Sequence, residues 1–97
     1  MDNFKKQPSE RFPISANFSY DLEAGDTIAS KAVTAVTLPD NVDATATVID
    51  NSSIASPAII VIVKGGTSGT DYKITVVATT TLGYIYEKDI KMKVTDT

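Results

Sequence analysis

The chain has 97 residues, a net charge of −3, and no cysteine, histidine or tryptophan. That length suits one domain with one modest core. The missing thiols and imidazoles exclude disulfides, thiolate nucleophiles, Cys/His zinc sites and the imidazole base of a serine triad, and the acidic balance argues against a nucleic-acid partner, which needs clustered basic residues.

Valine, isoleucine, threonine and alanine carry most of the apolar and branched content. β-Branched side chains fit a pleated, half-buried surface, so strands are favoured. No window keeps apolar residues at helical spacing for long.

Residues 1–11 are polar and contain Pro8. They read as a flexible N-terminal arm, with Lys5 and Lys6 as solvated terminal lysines. The segment has no apolar stretch of the kind a signal peptide carries, so none is expected. Residues 12–97 read as a single domain. Its first strand covers 12–22, with Ile14, Ala16, Phe18, Tyr20 and Leu22 on one face and Pro13 at a sheet edge. A turn follows at 21–26, where Gly25 can take positive φ and Asp26 or Thr27 can bond local backbone. Residues 27–38 form a second strand. Ile28, Ser30 and Ala32 keep one phase while Val33 and Ala35 take the other, so a bulge or a change of neighbours is expected near Lys31.

Pro39-Asp40-Asn41 signals a turn. Residues 42–49 read as a third strand with Val42, Ala44, Ala46 and Val48 on one side, broken at 50–53, although a short strand can continue through Ile54. The run 58–63, AIIVIV, is apolar on both faces and reads as a central, well-covered strand, flanked by Pro57 and Lys64 as gatekeepers. Gly65-Gly66-Thr-Ser-Gly69-Thr70 is a loop. Two alternating runs close the domain and meet at Leu82-Gly83: Tyr72, Ile74, Val76, Ala78 and Thr80 share one face, then Tyr84, Tyr86, Ile90, Met92 and Val94. Six to seven short strands with turn signals every 8–12 residues indicate an all-β antiparallel sandwich.

No constellation for chemistry stands out. The Gly65/Gly66/Gly69 loop lacks the lysine and following helix of a phosphate-binding loop. Asp40, Asn41, Asp43, Asp50 and Asn51 lack the regular spacing of a calcium loop and are ordinary turn residues. The serines have no nucleophile elbow around them. The expectation is therefore no catalytic residues, no metal, no cofactor, no small-molecule substrate, no nucleic acid and no membrane partner.

The run Gly69-Thr-Asp-Tyr72-Lys-Ile-Thr-Val76 resembles the penultimate strand of fibronectin type III and related Ig-like domains. The resemblance implies an Ig-like sandwich in which the Tyr72 hydroxyl reaches back to a backbone group, a tyrosine corner. Gly25, Gly65, Gly66, Gly69 and Gly83 are then structural turn positions.

Across most of its length the chain also resembles small tailed-bacteriophage structural proteins of the fiber–tail adaptor-like family. The matching stretches are Lys6-Gln-Pro-Ser-Glu10, Leu22-Glu-Ala-Gly-Asp-Thr-Ile28, the residues from Gly65 to Thr75, Thr80 to Gly83, and Glu87 to Val94. The resemblance implies a non-enzymatic phage or prophage virion protein. It would sit in the tail, the fiber–tail adaptor or the head–tail region and be assembled in the host bacterial cytoplasm. It would act by contacts with other phage structural proteins, with a homo-oligomer possible. Fold analogy leaves a second reading open, a carbohydrate- or surface-binding Ig-like module of a bacterial cell-surface protein.

Overall fold

Among the described residues, seven strands make two facing sheets, with one helical turn between them in the chain. The structure, a computed structural model, describes residues 2–96. The elements are β1 (Asp2–Lys6), β2 (Phe12–Asn17), β3 (Ile28–Leu38), α1 (Thr45–Val48), β4 (Ile49–Ala55), β5 (Ala58–Val63), β6 (Asp71–Thr80) and β7 (Ile85–Val94). The four-stranded sheet has the order β1-β7-β6-β3 and the three-stranded sheet the order β2-β5-β4. All neighbours are antiparallel except β1, which runs parallel to β7.

The period-2 pattern of β6 is the clearest link from sequence to core. Tyr72, Ile74, Val76, Ala78 and Thr80 are buried, while the residues between them are only half-buried. Ile90, Met92 and Val94 of β7 lie beside them. From the opposite sheet Ala16, Ile59, Val61 and Val63 close the core, and Phe18 seals it at one end. Alternation works here because each strand shows one face to the other sheet and one to water.

The phase conflict in β3 is resolved by an irregularity at Ala29. Ile28 pairs with Thr80 and Ser30 with Thr79, so one residue of β3 is unmatched. The extra residue flips the side-chain phase, and Ala35 then shares the buried face with Ile28 while Val33 packs against the core.

Five local expectations are corrected. Asp2–Lys6, expected within a flexible arm, is a strand whose ladder with β7 runs from Asp2↔Ile90 to Lys6↔Val94. The first core strand ends at Asn17, because its partner β5 begins at Ala58 and the ladder runs out there. The chain then turns, with the N–H groups of Asp21 and Leu22 bonding the Phe18 carbonyl, which leaves Tyr20 fully exposed. The strand expected at 42–49 is instead a single bridge, Asp43 to Val36, followed by α1. The break expected at 50–53 lies inside β4. Finally, β5 is central as expected, but one face is open: Ile60 and Ile62 stay half-buried on the outside of its sheet.

Candidate interaction surface

The two ends of the sandwich differ in chemistry, and the residues that distinguish them come from separate stretches of chain. At one end Gly65-Gly66-Thr-Ser-Gly69-Thr70 crosses from β5 to β6. The Tyr72 hydroxyl accepts a hydrogen bond from the Thr67 N–H at 2.9 Å. Gly66 has φ +97°, and a Cβ there would sit 2.8 Å from Val94 Cγ2. Gly65 and Gly69 also have positive φ in this loop, as do Gly25 in the β2–β3 turn and Gly83 in the β6–β7 hairpin.

Lys6 belongs to the same end. Its side chain is only 1% exposed. The ammonium donates to the carbonyl oxygens of Gln7 (2.7 Å), Pro8 (3.2 Å) and Gly65 (2.7 Å). Removal from water holds the Lys6 pKa below its ordinary value, against the opposing pull of the Glu10 carboxylate. The expectation of a solvated lysine therefore fails for Lys6, although Lys5 is exposed. A run of two lysines carries no signal that one of them is enclosed by carbonyls, one of them 59 residues away.

Beside this corner, on the outer side of β1 and β7, is a shallow recess of about 310 Å³ lined by Asn3, Phe4, Lys5, Lys91 and Lys93. The ladders place Lys5 next to Lys93, and Lys73 next to Lys91. Lys91 pairs with Asp71 at 3.3 Å.

The opposite end is the tip formed by the β6–β7 hairpin and the β2–β3 turn. Two N–H groups of the hairpin hold it to the turn: Leu82 N–H donates to the side-chain Oδ1 of Asp26, and Thr81 N–H to the Thr27 carbonyl. Leu82, Tyr84 and Ile85 are 61%, 50% and 68% exposed. Asp21, Glu23, Asp26 and Glu87 surround this end, with Lys88 paired to Asp21 at 3.3 Å. Asp26 Oδ2 is enclosed without a hydrogen-bond partner. Burial, together with the carboxylates of Glu23, Asp26 and Asp21 and the Tyr84 phenol, raises the Tyr86 pKa.

The other residues considered for chemistry are dispersed. The Asp43 carboxylate accepts from the hydroxyl and N–H of Thr45, and Asp50 pairs with Arg11. No group of three or more metal-ligating side chains forms among the described residues. Nor is any helix among them long and apolar enough to cross a membrane. The two ends thus differ: a shallow lysine-rimmed recess lies at one, and an exposed apolar cluster flanked by carboxylates at the other. The loops are legible in the sequence and the surfaces are not, because nothing local marks β1 as a strand and Tyr20 continues the alternation of the first strand.

The family model of the podophage GP4 fiber-tail adaptor protein gp77 matches residues 6–93. The chain belongs to this family. No curated protein shows a significant match to it.

Proposed function

We propose that this member of the fiber–tail adaptor family is a non-enzymatic part of the virion, joining other phage structural proteins by surface contacts alone. The family match over residues 6–93 carries the reading. The exposed apolar tip supports it, since Leu82, Tyr84 and Ile85 in one hairpin form an uncovered apolar cluster of the kind interfaces use. The sandwich itself is of Ig type in this reading. Its sheets place β7, β6 and β3 together and β2, β5 and β4 together, as Ig-type domains group their strands, and Tyr72 bonds back to Thr67 as a tyrosine corner would.

The test is complementation of phage particles that lack the protein. Particles made without it are expected to be fibre-deficient and poorly infectious, and purified protein added to them should restore both. Fully fibred, infectious particles assembled without it would sink the proposal. A carbohydrate-binding reading would rest on the exposed Tyr20 and Tyr84. Glycan-array binding lost on Tyr84→Ala would favour it.

A further inference from the structure

The outer face of the four-stranded sheet gathers lysines at one end. Phe4, Ile74 and Met92 point inward, so alternation turns Lys5, Lys73, Lys91 and Lys93 outward. The ladders set Lys5 beside Lys93 and Asn3 beside Lys91, and Asp71 and Lys73 continue the same two rows on β6. The like-charge neighbours Lys5–Lys93 and Lys73–Lys91 each cost stability. The nearest carboxylates along these strands are Asp71, which pairs with Lys91 at 3.3 Å, and Asp89, whose Oδ1 accepts from the Thr75 hydroxyl at 2.8 Å. Four ammonium groups thus stand against two carboxylates, in a chain whose net charge is −3. The same end is a free sheet edge, since β1 is the outermost strand. The Lys6 carbonyl bonds the Thr95 N–H in continuation of the β7 ladder. Backbone groups alternate in direction along a strand, so those of Phe4 and Lys6 face β7 and those of Asn3 and Lys5 face away. Outside the ladders, no backbone bond among the described residues uses the Asn3 or Lys5 N–H or C=O. The shallow recess along this edge is bordered by Asn3, Lys5, Lys91 and Lys93, while the Phe4 ring packs inward on Phe12.

We propose that the open edge of β1 takes up an extended, acidic segment of another virion protein, which joins the sheet as a fifth strand. The outward N–H and C=O groups of Asn3 and Lys5 supply the new ladder, and the lysine rows meet carboxylates at alternate positions of the incoming strand. The two rows are two residues apart on β7, the same repeat that side chains follow on one face of a strand. An edge lysine also keeps apolar strands from pairing, but that role accounts for Lys5 alone. Lys73 stands two strands inside the edge and guards nothing there. Incoming carboxylates relieve the two like-charge pairs, which favours an acidic occupant over an apolar one. A nucleic-acid strand would meet the ammonium groups and leave the edge N–H and C=O groups unpaired, whereas a peptide satisfies both. The proposal rests on the reading of this chain as a contact protein and specifies the chemistry of one partner.

The test is an amide NMR titration of the isotope-labelled full chain with a peptide of about ten residues alternating glutamate and threonine. Shifts should concentrate on β1 and β7, and amide exchange at Asn3 and Lys5 should slow several-fold. Raising the salt to about 0.5 M should weaken binding several-fold. Lys5→Gln/Lys93→Gln removes two charges, keeps the backbone and should weaken binding several-fold. Asn3→Pro keeps every lysine and removes one outward N–H that β7 does not use, and it too should weaken binding several-fold. Melting temperatures near that of the wild type show that both variants are folded. No binding, shifts centred elsewhere, or an affinity that either variant leaves unchanged overturns the proposal. So does an oligothymidylate of the same net charge that binds these residues as tightly, which marks a general polyanion site. The same shifts on concentrating the chain without peptide would give the edge to a second copy and overturn it as well. Particle complementation is a separate readout: a chain that restores fibres yet ignores the peptide fails this proposal alone.

Discussion

The Lys6 ammonium nitrogen lies 2.7 Å from the Gly65 carbonyl oxygen, joining positions 59 residues apart. The same nitrogen bonds the Gln7 and Pro8 carbonyls, and the Lys6 carbonyl accepts from the Thr95 N–H. One side chain therefore ties the first strand, the turn after it and the glycine loop into a single corner. Three carbonyl dipoles take the place of water around the charge, which makes the burial tolerable.

Lys6→Met keeps the aliphatic stem and removes all three donors. The carbonyls at Gln7, Pro8 and Gly65 then lose a charged partner, at a cost of about 2–3 kcal/mol. Lys5→Met, at an exposed position, should change stability by less than about 0.5 kcal/mol. Urea denaturation of both variants checks the contrast. The pH dependence has a defined sign. Burial lowers the folded-state pKa of Lys6 from 10.5, so between the two values the unfolded chain holds more protons. Stability from this group therefore rises with pH through that window, and Lys6→Met should flatten the rise.

Gly66 and Gly69 separate backbone strain from steric clash. Both have positive φ, but a Cβ at Gly69 meets nothing within 4 Å, whereas one at Gly66 meets Val94 Cγ2 at 2.8 Å. Gly69→Ala should cost about 1 kcal/mol from the left-handed backbone alone. Gly66→Ala should cost roughly 2–4 kcal/mol, because buried Val94 has to move as well. Thermal melts of the pair give the ranking, and equal losses would contradict it.

Tyr72→Phe removes the acceptor for the Thr67 N–H while leaving the buried ring in place. The expected loss is about 1 kcal/mol. Amide exchange at Thr67 should speed up more than exchange along β6, which localises the effect to the corner.

Asp43 should titrate below 3.8, held down by the Thr45 hydroxyl and then by the Thr45 N–H. A depressed carboxylate contributes stability above its unfolded value and loses it as pH falls through the folded value. Carboxyl chemical shifts measured against pH check the midpoint. Thr45→Ala should move it back toward the ordinary range, because the hydroxyl is the larger influence.

The hairpin of β6 and β7 and the central place of β5 could be read from the chain, because two-residue alternation is a local property of adjacent residues. The 42–49 region misled for a specific reason. Ala44 and Val48 are both buried, and a spacing of four fits one helical turn as well as two steps of a strand. The path of the backbone decides between them: the Ala44 N–H bonds the Ala35 carbonyl and the Val48 N–H bonds the Ala44 carbonyl. In β3, a one-residue irregularity at Ala29 reverses which side chains face inward, and local pattern shows only that a conflict exists.

Residue type and short-range spacing are enough for an all-β sandwich and for the glycines at its turns. Only the tertiary structure decided that the first residues are a strand, that Lys6 is enclosed and that Tyr20 is outside. It alone placed an acidic apolar tip and a basic recess at opposite ends. Each of these depends on partners far apart in sequence: β1 needs β7, Lys6 needs Gly65, and the recess needs both Lys5 and Lys93. Pairing across such distances is set by how the sheets close over one core, and no local period encodes it.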